Sequence, residues 1–349
     1  MVKSLRRTLS DLKSGNILFR EAHQPVIILA LRRGGSTALA DTIASARGVW
    51  FSNEPYAVYP GHRGYQEKIA RLPQAEHSQY FALTGTDLDR FAEYSRDLLA
   101  VKLRGLGTCR RTRFPLRADR VCLKVLNAVW MIDWFRTQTD AHIISLVRHP
   151  AAQALSVLRQ GWDFAIEAYA ARLPDLEPHF SDVQLDTIRT ICQENNAWKM
   201  AILDWVVASH PLRRMGGDRI IRLTYEEVTR DPAHLVTSIL GERLGFDDHE
   251  AMLATALNPS NSSSMSERGT NSAILQRDIE KLTEGWRQKI DTSMKLDGQR
   301  ILDTFEIETY SFGAIPAERR EALGVPTLLD CLEREFRFVL ETLAVPAGF

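Results

Sequence analysis

The sequence predicts an α/β fold, a parallel sheet with helices on both faces, on three observations. Short apolar runs of strand length recur along the chain. A stretch with helical patterning follows each of several such runs. The first of these connections contains a pair of glycines, as a tight turn from strand to helix requires.

The elements follow in order. Val26–Leu31 (VIILAL) is apolar at every position, the pattern of a strand buried on both faces. A glycine turn leads into a helix predicted over Ser36–Ala46. Val49–Ser52 is a second strand. Val121–Leu126 (VCLKVL) and Ile143–Val147 (IISLV) are further buried strands, followed by helices over Ala128–Arg136 and Ala151–Arg159. Arg219–Leu223 (RIIRL) is the last strand and Pro232–Leu244 its helix. Two segments break the alternation. Residues 56–118 are long, mixed and polar, and residues 258–275 are rich in Ser, Asn and Gly. Ligands of α/β proteins bind beyond the carboxyl ends of the strands, where long loops gather, so both segments are candidate lids. Residues 318–343 are expected to form a terminal helix.

The bulk properties exclude several classes. The 349 residues are 44% hydrophobic and 25% charged, ordinary for a globular protein. Forty-four basic residues balance forty-four acidic ones, which argues against a nucleic-acid coat protein. The four cysteines (Cys109, Cys122, Cys192, Cys331) show no CxxC spacing, so neither a disulfide framework nor a zinc site is expected, and a reducing cytoplasm suits them. The basic N-terminus lacks a following apolar region, and the apolar run from Pro25 to Leu31 is too short to span a bilayer.

The segment RRGGSTAL, 32–39, carries the first chemistry. Gly34 and Gly35 let the backbone bend and approach a ligand closely. The following helix offers free N–H groups and a positive dipole end to an anion. Ser36 and Thr37 add hydroxyls, and Arg33 adds a planar cation. This is a phosphate site without the lysine of a Walker A loop.

The segment resembles the 5′-phosphosulfate loop of sulfotransferases that use PAPS (3′-phosphoadenosine-5′-phosphosulfate). Arg33, Gly35, Ser36 and Thr37 match that loop, while Gly34 and Ala38 replace its usual Ser and Leu. The family's second landmark is a strand-end arginine with a helical serine eight residues on, which hold the 3′-phosphate. ISLVRHPAAQALSVLR supplies Arg148 and Ser156 at that spacing, with Arg159 one turn further. His149 is read as a turn residue. IRLTYEEV resembles the family's strand with a tyrosine near the adenine, here Tyr225, and Arg287 after Gly285-Trp286 is expected to close over a nucleotide phosphate.

The resemblance implies a P-loop-like sheet in a single sulfotransferase domain with helical lid insertions. Its core spans residues 25–55 and 120–290, with 56–118 a substrate-side insertion and 291–349 a C-terminal helical extension. It implies PAPS as donor, PAP as product and no metal. In-line sulfuryl transfer needs a base toward the acceptor and cations toward the leaving phosphate. Resemblance to the tyrosylprotein-type members, in which a Glu at this place serves as base, implies Glu54 in FSNEP, twenty-one residues after Arg33. The cations are expected at Lys124, costly inside an apolar strand unless its ammonium has a partner, and at Arg33. The acceptor is expected to be a small metabolite or carbohydrate bearing a hydroxyl or amine, with no nucleic acid and no membrane span, in the cytoplasm. The basic cluster Arg110, Arg111 and Arg113 fits either an anionic acceptor or a solvated loop. Two other readings stay open: a nucleotide-dependent kinase of similar fold, and a catalytically silent nucleotide-binding protein.

Overall fold

Every side chain of Val26–Ala30 (β1) is fully buried, the environment of a central strand covered on both faces. The computed structural model describes residues 18–74, 79–107, 117–260, 263 and 268–313. β1 pairs in parallel with Arg120–Val125 (β3) on one side and His142–Val147 (β4) on the other. Val49–Asn53 (β2) extends the sheet beyond β3, and Ile220–Thr224 (β5) extends it beyond β4. The order is therefore β2-β3-β1-β4-β5, all parallel. A separate parallel pair joins Leu18–Phe19 to Arg117–Ala118.

Helices cover both faces, as parallel crossovers require. Ser36–Ala44 (α1) returns the chain from β1 to β2 and packs Leu39, Ala40 and Ile43 onto Val26, Ile28 and Phe51. Between β2 and β3 lie Tyr65–Arg71 (α2) and Gly85–Leu99 (α3). They fold over an aromatic cluster in which Tyr56 stacks on Phe91, ring centroids 5.0 Å apart, beside Tyr94 and Phe135. Ile132–Gln138 (α4) follows β3, Pro150–Gln160 (α5) follows β4, and Ala197–Arg214 (α6) is almost entirely buried. Tyr225–Arg230 (α7) follows β5 and is closed by a capping box between Thr224 and Glu227.

The five strands form where the apolar runs predict them, within a residue or two. Two helices differ. The helix expected from Ala128 opens as a tight turn at Val129–Met131 before α4 begins. Only Pro232–His234 of the expected 232–244 helix is α-helical, and Leu235–Arg243 widens to π-helical turns. Gly241 lies in that stretch, where a Cβ would come within 2.4 Å of the His249 ring.

The chain divides into two compact units, Met1–Lys289 and Ile290–Phe349. In the second, Asp291 caps the helix Thr292–Thr304 by accepting from the Met294 amide at 2.8 Å. The terminal helix expected over 318–343, the Arg110–Arg113 cluster, Cys109 and Cys331 lie outside the described residues. Cys122 is buried in the core, as its apolar run predicts.

Candidate active site

All five strands deliver a polar or charged residue from their carboxyl ends to one cavity of about 720 Å³. Arg33 and Gly35 follow β1, Glu54 follows β2, Lys124 lies near the end of β3, Arg148 follows β4 and Tyr225 follows β5. The volume falls within the usual range of a small-molecule site.

Gly35 begins α1 at φ 89°, a left-handed conformation that glycine adopts without penalty. A Cβ there would also meet Tyr225 Cδ2 at 2.4 Å, so only glycine lets the tyrosine close against the loop. No side chain caps α1, whereas α7 and the helix Asp182–Glu194 each carry a full capping box. Ser36 and Thr37 thus line the cavity with their amides open to an anion, while the Ala38 amide donates to the Gly35 carbonyl at 3.0 Å.

Three arginines gather beside this helix end. Arg33 Nε donates to Ser156 Oγ at 2.8 Å. The Arg148 guanidinium packs over the Tyr225 ring at 4.2 Å and donates at 3.3 Å and 3.4 Å to the carbonyls of Arg33 and Leu282. Both bonds are long, and the buried Arg148 Nε has no hydrogen-bond partner. Burial, then the charges of Arg148 and Arg159, lowers the Arg33 pKa. Three like charges at an uncapped helix end, one with an orphaned donor, suit a phosphorylated ligand.

On the other side of the loop, Lys124 Nζ donates to Glu54 Oε1 at 2.8 Å, to Thr37 Oγ1 at 3.1 Å and to Asn53 Oδ1 at 3.3 Å. These partners explain a lysine inside an apolar strand. Glu54 sits at φ 52°, a strain of about 1–3 kcal/mol for a residue with a side chain. Its amide donates to the Lys124 carbonyl at 2.8 Å and its carbonyl accepts from Lys68 Nζ at 3.0 Å, which hold the turn. Burial of the carboxyl pushes its pKa up, but the Lys124 ammonium, with His62 and Lys68, outweighs burial and the net direction is down. The carboxylate is thus ionised at neutral pH.

The sulfotransferase family model matches residues 25–250, a span that contains all five strands. The chain belongs to the sulfotransferase family. No curated protein matches it. Among solved structures it is similar to the sulfotransferase domain of the Synechococcus PCC 7002 olefin synthase, with 21% identity over 85% of this chain and 97% of that one, at a TM-score of 0.45. It is also similar to the sulfotransferase domain of the curacin biosynthetic pathway, with 15% identity over 83% and 99% and a TM-score of 0.44. The mouse sulfotransferase SULT7A1, complexed with PAP, shows 12% identity over 83% and 88% and a TM-score of 0.41.

In this sulfotransferase the cavity wall contains Arg33, Gly35, Ser36, Thr37, Ala38, Glu54, Lys124, Arg148, Ser156, Arg159 and Tyr225 together. Two expected residues stand apart. Gly34 does not reach the wall, because it turns beneath the loop with its amide on the Leu31 carbonyl at 3.1 Å. Arg287 is also outside it: its guanidinium pairs with Glu284 and lies over the Trp286 ring at 4.7 Å. Trp286, which does line the cavity, stacks on His149 with ring centroids 4.0 Å apart. His149 itself caps α5, its Nδ1 accepting from the Ala151 amide at 3.2 Å.

Other wall residues were not anticipated. Arg268, Lys281 and Lys289 bring further cations from the late segment, where nearby Gly269 and Gly285 were the available signal. Arg32 and the exposed Trp162 also line the cavity, the guanidinium 5.8 Å from the ring centroid. Val58, Tyr59 and Gln79 enter from the 56–118 segment. Among the described residues there is no group of three acidic, His or Cys side chains placed to hold a metal, and no helix long and apolar enough to cross a membrane.

Proposed function

We propose that this sulfotransferase takes its sulfuryl group from PAPS and transfers it by in-line displacement to a hydroxyl or amine of a small metabolite or carbohydrate. One observation carries the reading: the uncapped start of α1, the Arg33/Arg148/Arg159 group and the Glu54–Lys124 pair line a single cavity. A nucleotide with phosphates at both ends needs two anion sites, and a transfer reaction needs a base and a cation beside one of them.

The roles follow from position. The amides of Ser36 and Thr37 and the Thr37 hydroxyl receive the 5′-phosphosulfate, with Ala38 lining the same wall. Arg148 and Ser156, with Arg159, receive the 3′-phosphate, and Tyr225 stands at the nucleotide between them. Lys124 already touches both Thr37 and Glu54, so a short shift of its ammonium meets charge developing on the leaving phosphate. Arg33 shares that charge from the loop. As Lys124 turns to the phosphate, Glu54 loses its strongest stabilising partner and becomes a better base for the acceptor proton. Residues 56–118 serve as the substrate-side insertion.

Nucleotide binding tests the donor. Tight binding of PAP with none of ATP is the expected result, and the reverse preference overturns the reading in favour of a kinase. Labelled PAPS offered to pools of metabolites and sugars then identifies the acceptor.

A further inference from the structure

A buried lysine and a half-buried histidine behind Glu54 have no part in the scheme so far. Lys68, on α2, is only 1% exposed, a costly place for a charge. Its Nζ lies 3.0 Å from the Glu54 carbonyl oxygen, 3.1 Å from that of Ala57 and 2.8 Å from His62 Nδ1. The same Nδ1 lies 3.3 Å from the Arg63 carbonyl oxygen. The opposite ring nitrogen, Nε2, lies 4.0 Å from Glu54 Oε2, the carboxylate oxygen that Lys124 does not hold. Carboxylate, imidazole and amine stand in line, each facing the next through a different atom.

We propose that Glu54, His62 and Lys68 form a proton relay, in which the proton that Glu54 takes from the acceptor passes through the imidazole to the Lys68 amine. The proposal rests on the reading of Glu54 as the base. Before transfer, the neutral Lys68 amine donates to the two carbonyls and accepts from His62 Nδ1–H. The acceptor's O–H (or N–H) bond breaks as the carboxyl O–H bond forms on Glu54. That proton moves to His62 Nε2 while the Nδ1 proton moves to Lys68 Nζ. Glu54 is again a carboxylate, His62 is neutral in its other tautomer, and Lys68 is an ammonium donating to three acceptors. Once product has left, the chain runs backward and releases the proton to water at Glu54.

The surroundings satisfy both ends of the relay. Two carbonyls and a ring nitrogen around Nζ serve an amine or an ammonium equally. Nδ1 meets Arg63 and Lys68 as a donor, or Lys68 alone as an acceptor. Burial, opposed by Glu54, pushes the Lys68 pKa down to about 7, so the amine is populated near neutral pH. Burial and then the Lys68 charge push His62 down to about 4, so the ring carries a proton by exchanging tautomers. Among the described residues, the other ionisable groups facing the line are Lys124, on the far carboxylate oxygen, and Tyr59, whose hydroxyl lies 3.5 Å from Glu54 Oε2 and is held protonated by burial and that carboxylate. The Glu54–His62 step is longer than a hydrogen bond and closes by a tilt of the ring or through one water.

Nitrogen NMR of the full chain with ¹⁵N-labelled histidine, from pH 5 to 9, tests the relay without any acceptor. The expected result is a His62 signal that changes from Nε2–H to Nδ1–H as pH rises through about 7. Lys68→Met should abolish the change, and a single tautomer at every pH in the parent chain overturns the relay. PAPS turnover with the acceptor found in the labelled pools gives the second readout. His62→Gln should lower kcat about 10-fold or more, leave PAP affinity unchanged, and remove the rise of rate through neutral pH. An unaltered kcat and profile overturn the proposal. A tautomer change without PAP binding removes the proposed function, whereas PAP binding without the change removes the relay alone.

Discussion

Glu54 and Lys124 are tied at both ends: the side chains pair at 2.8 Å, and the Glu54 amide donates to the Lys124 carbonyl at 2.8 Å. The backbone bond fixes where Glu54 leaves β2, and the ion pair fixes where its carboxylate points. Glu54→Gln keeps the shape and removes the base. The expected loss of PAPS turnover is about 10²–10⁴-fold, with PAP affinity nearly unchanged by calorimetry. Near-normal turnover would remove Glu54 as the base.

The same pair makes a stability prediction. Lys124 is 5% exposed at its side chain and Glu54 17%, so neither charge is left well solvated if its partner goes. Lys124→Met alone should destabilise the chain, toward the lower end of the about 3–5 kcal/mol seen for a broken buried pair. It should also slow turnover on the order of 10²–10³-fold. Combining it with Glu54→Gln should recover much of the stability and none of the turnover. Urea midpoints of the two single variants and the double one decide this, and additive losses would show that the pair is not coupled.

Arg148 is held by two long hydrogen bonds and an aromatic ring, so removing it disturbs little of the fold. A charge-assisted hydrogen bond to phosphate contributes about 1.5–3 kcal/mol, so Arg148→Ala should raise the Kd for PAP roughly 10- to 100-fold. Its unfolding midpoint should stay close to that of the parent. An unchanged Kd would reject the 3′-phosphate assignment.

Gly35 faces two demands at once, a φ of 89° and a tyrosine ring 2.4 Å from any added Cβ. Gly35→Ala should therefore cost more than the about 1 kcal/mol of backbone strain alone and should weaken PAP binding. With Tyr225→Ala already in place, the clash is gone and the added cost should fall to the backbone part. Equal costs in the two backgrounds would mean that the ring moves aside freely.

Strands and loop were legible because their environment leaves a local mark. β1 is buried on both faces, so each of its residues is apolar, and the glycine turn after it is required by backbone geometry. Lys124 was legible as the one charge in an apolar run whose burial demands a partner; that the partner is Glu54 required the β2–β3 register, which pairs Asn53 with Lys124. Lys68 was not legible. It sits in a polar stretch, YQEKIAR, and the carbonyls that receive its buried ammonium group belong to another segment, at Glu54 and Ala57. Arg287 stands outside the cavity wall beside Trp286, whose stacking on His149 is a contact with no signature in sequence.

Acid should destabilise this protein through histidines that burial keeps neutral, and His210 offers a test away from the site. Its ring stacks on Trp130, centroids 5.8 Å apart and planes 11° from parallel. Burial, then the charges of Arg213 and Arg214 and the neighbouring His179, push its pKa down to about 3. In the unfolded chain a histidine titrates near 6.5. Between about pH 3 and 6.5 the unfolded state thus holds a proton that the folded state refuses, so stability rises with pH across that window and is flat with respect to this group above it. His62 acts in the same direction from about pH 4 upward. His210→Phe keeps a ring against Trp130 and cannot titrate. Urea unfolding at a series of pH values should show a shallower rise from pH 4 to 6.5 in the variant, and His62, present in both chains, cancels in the difference. An identical slope would mean that His210 takes up its proton inside the folded protein, with the ring turning out of the stack to reach water.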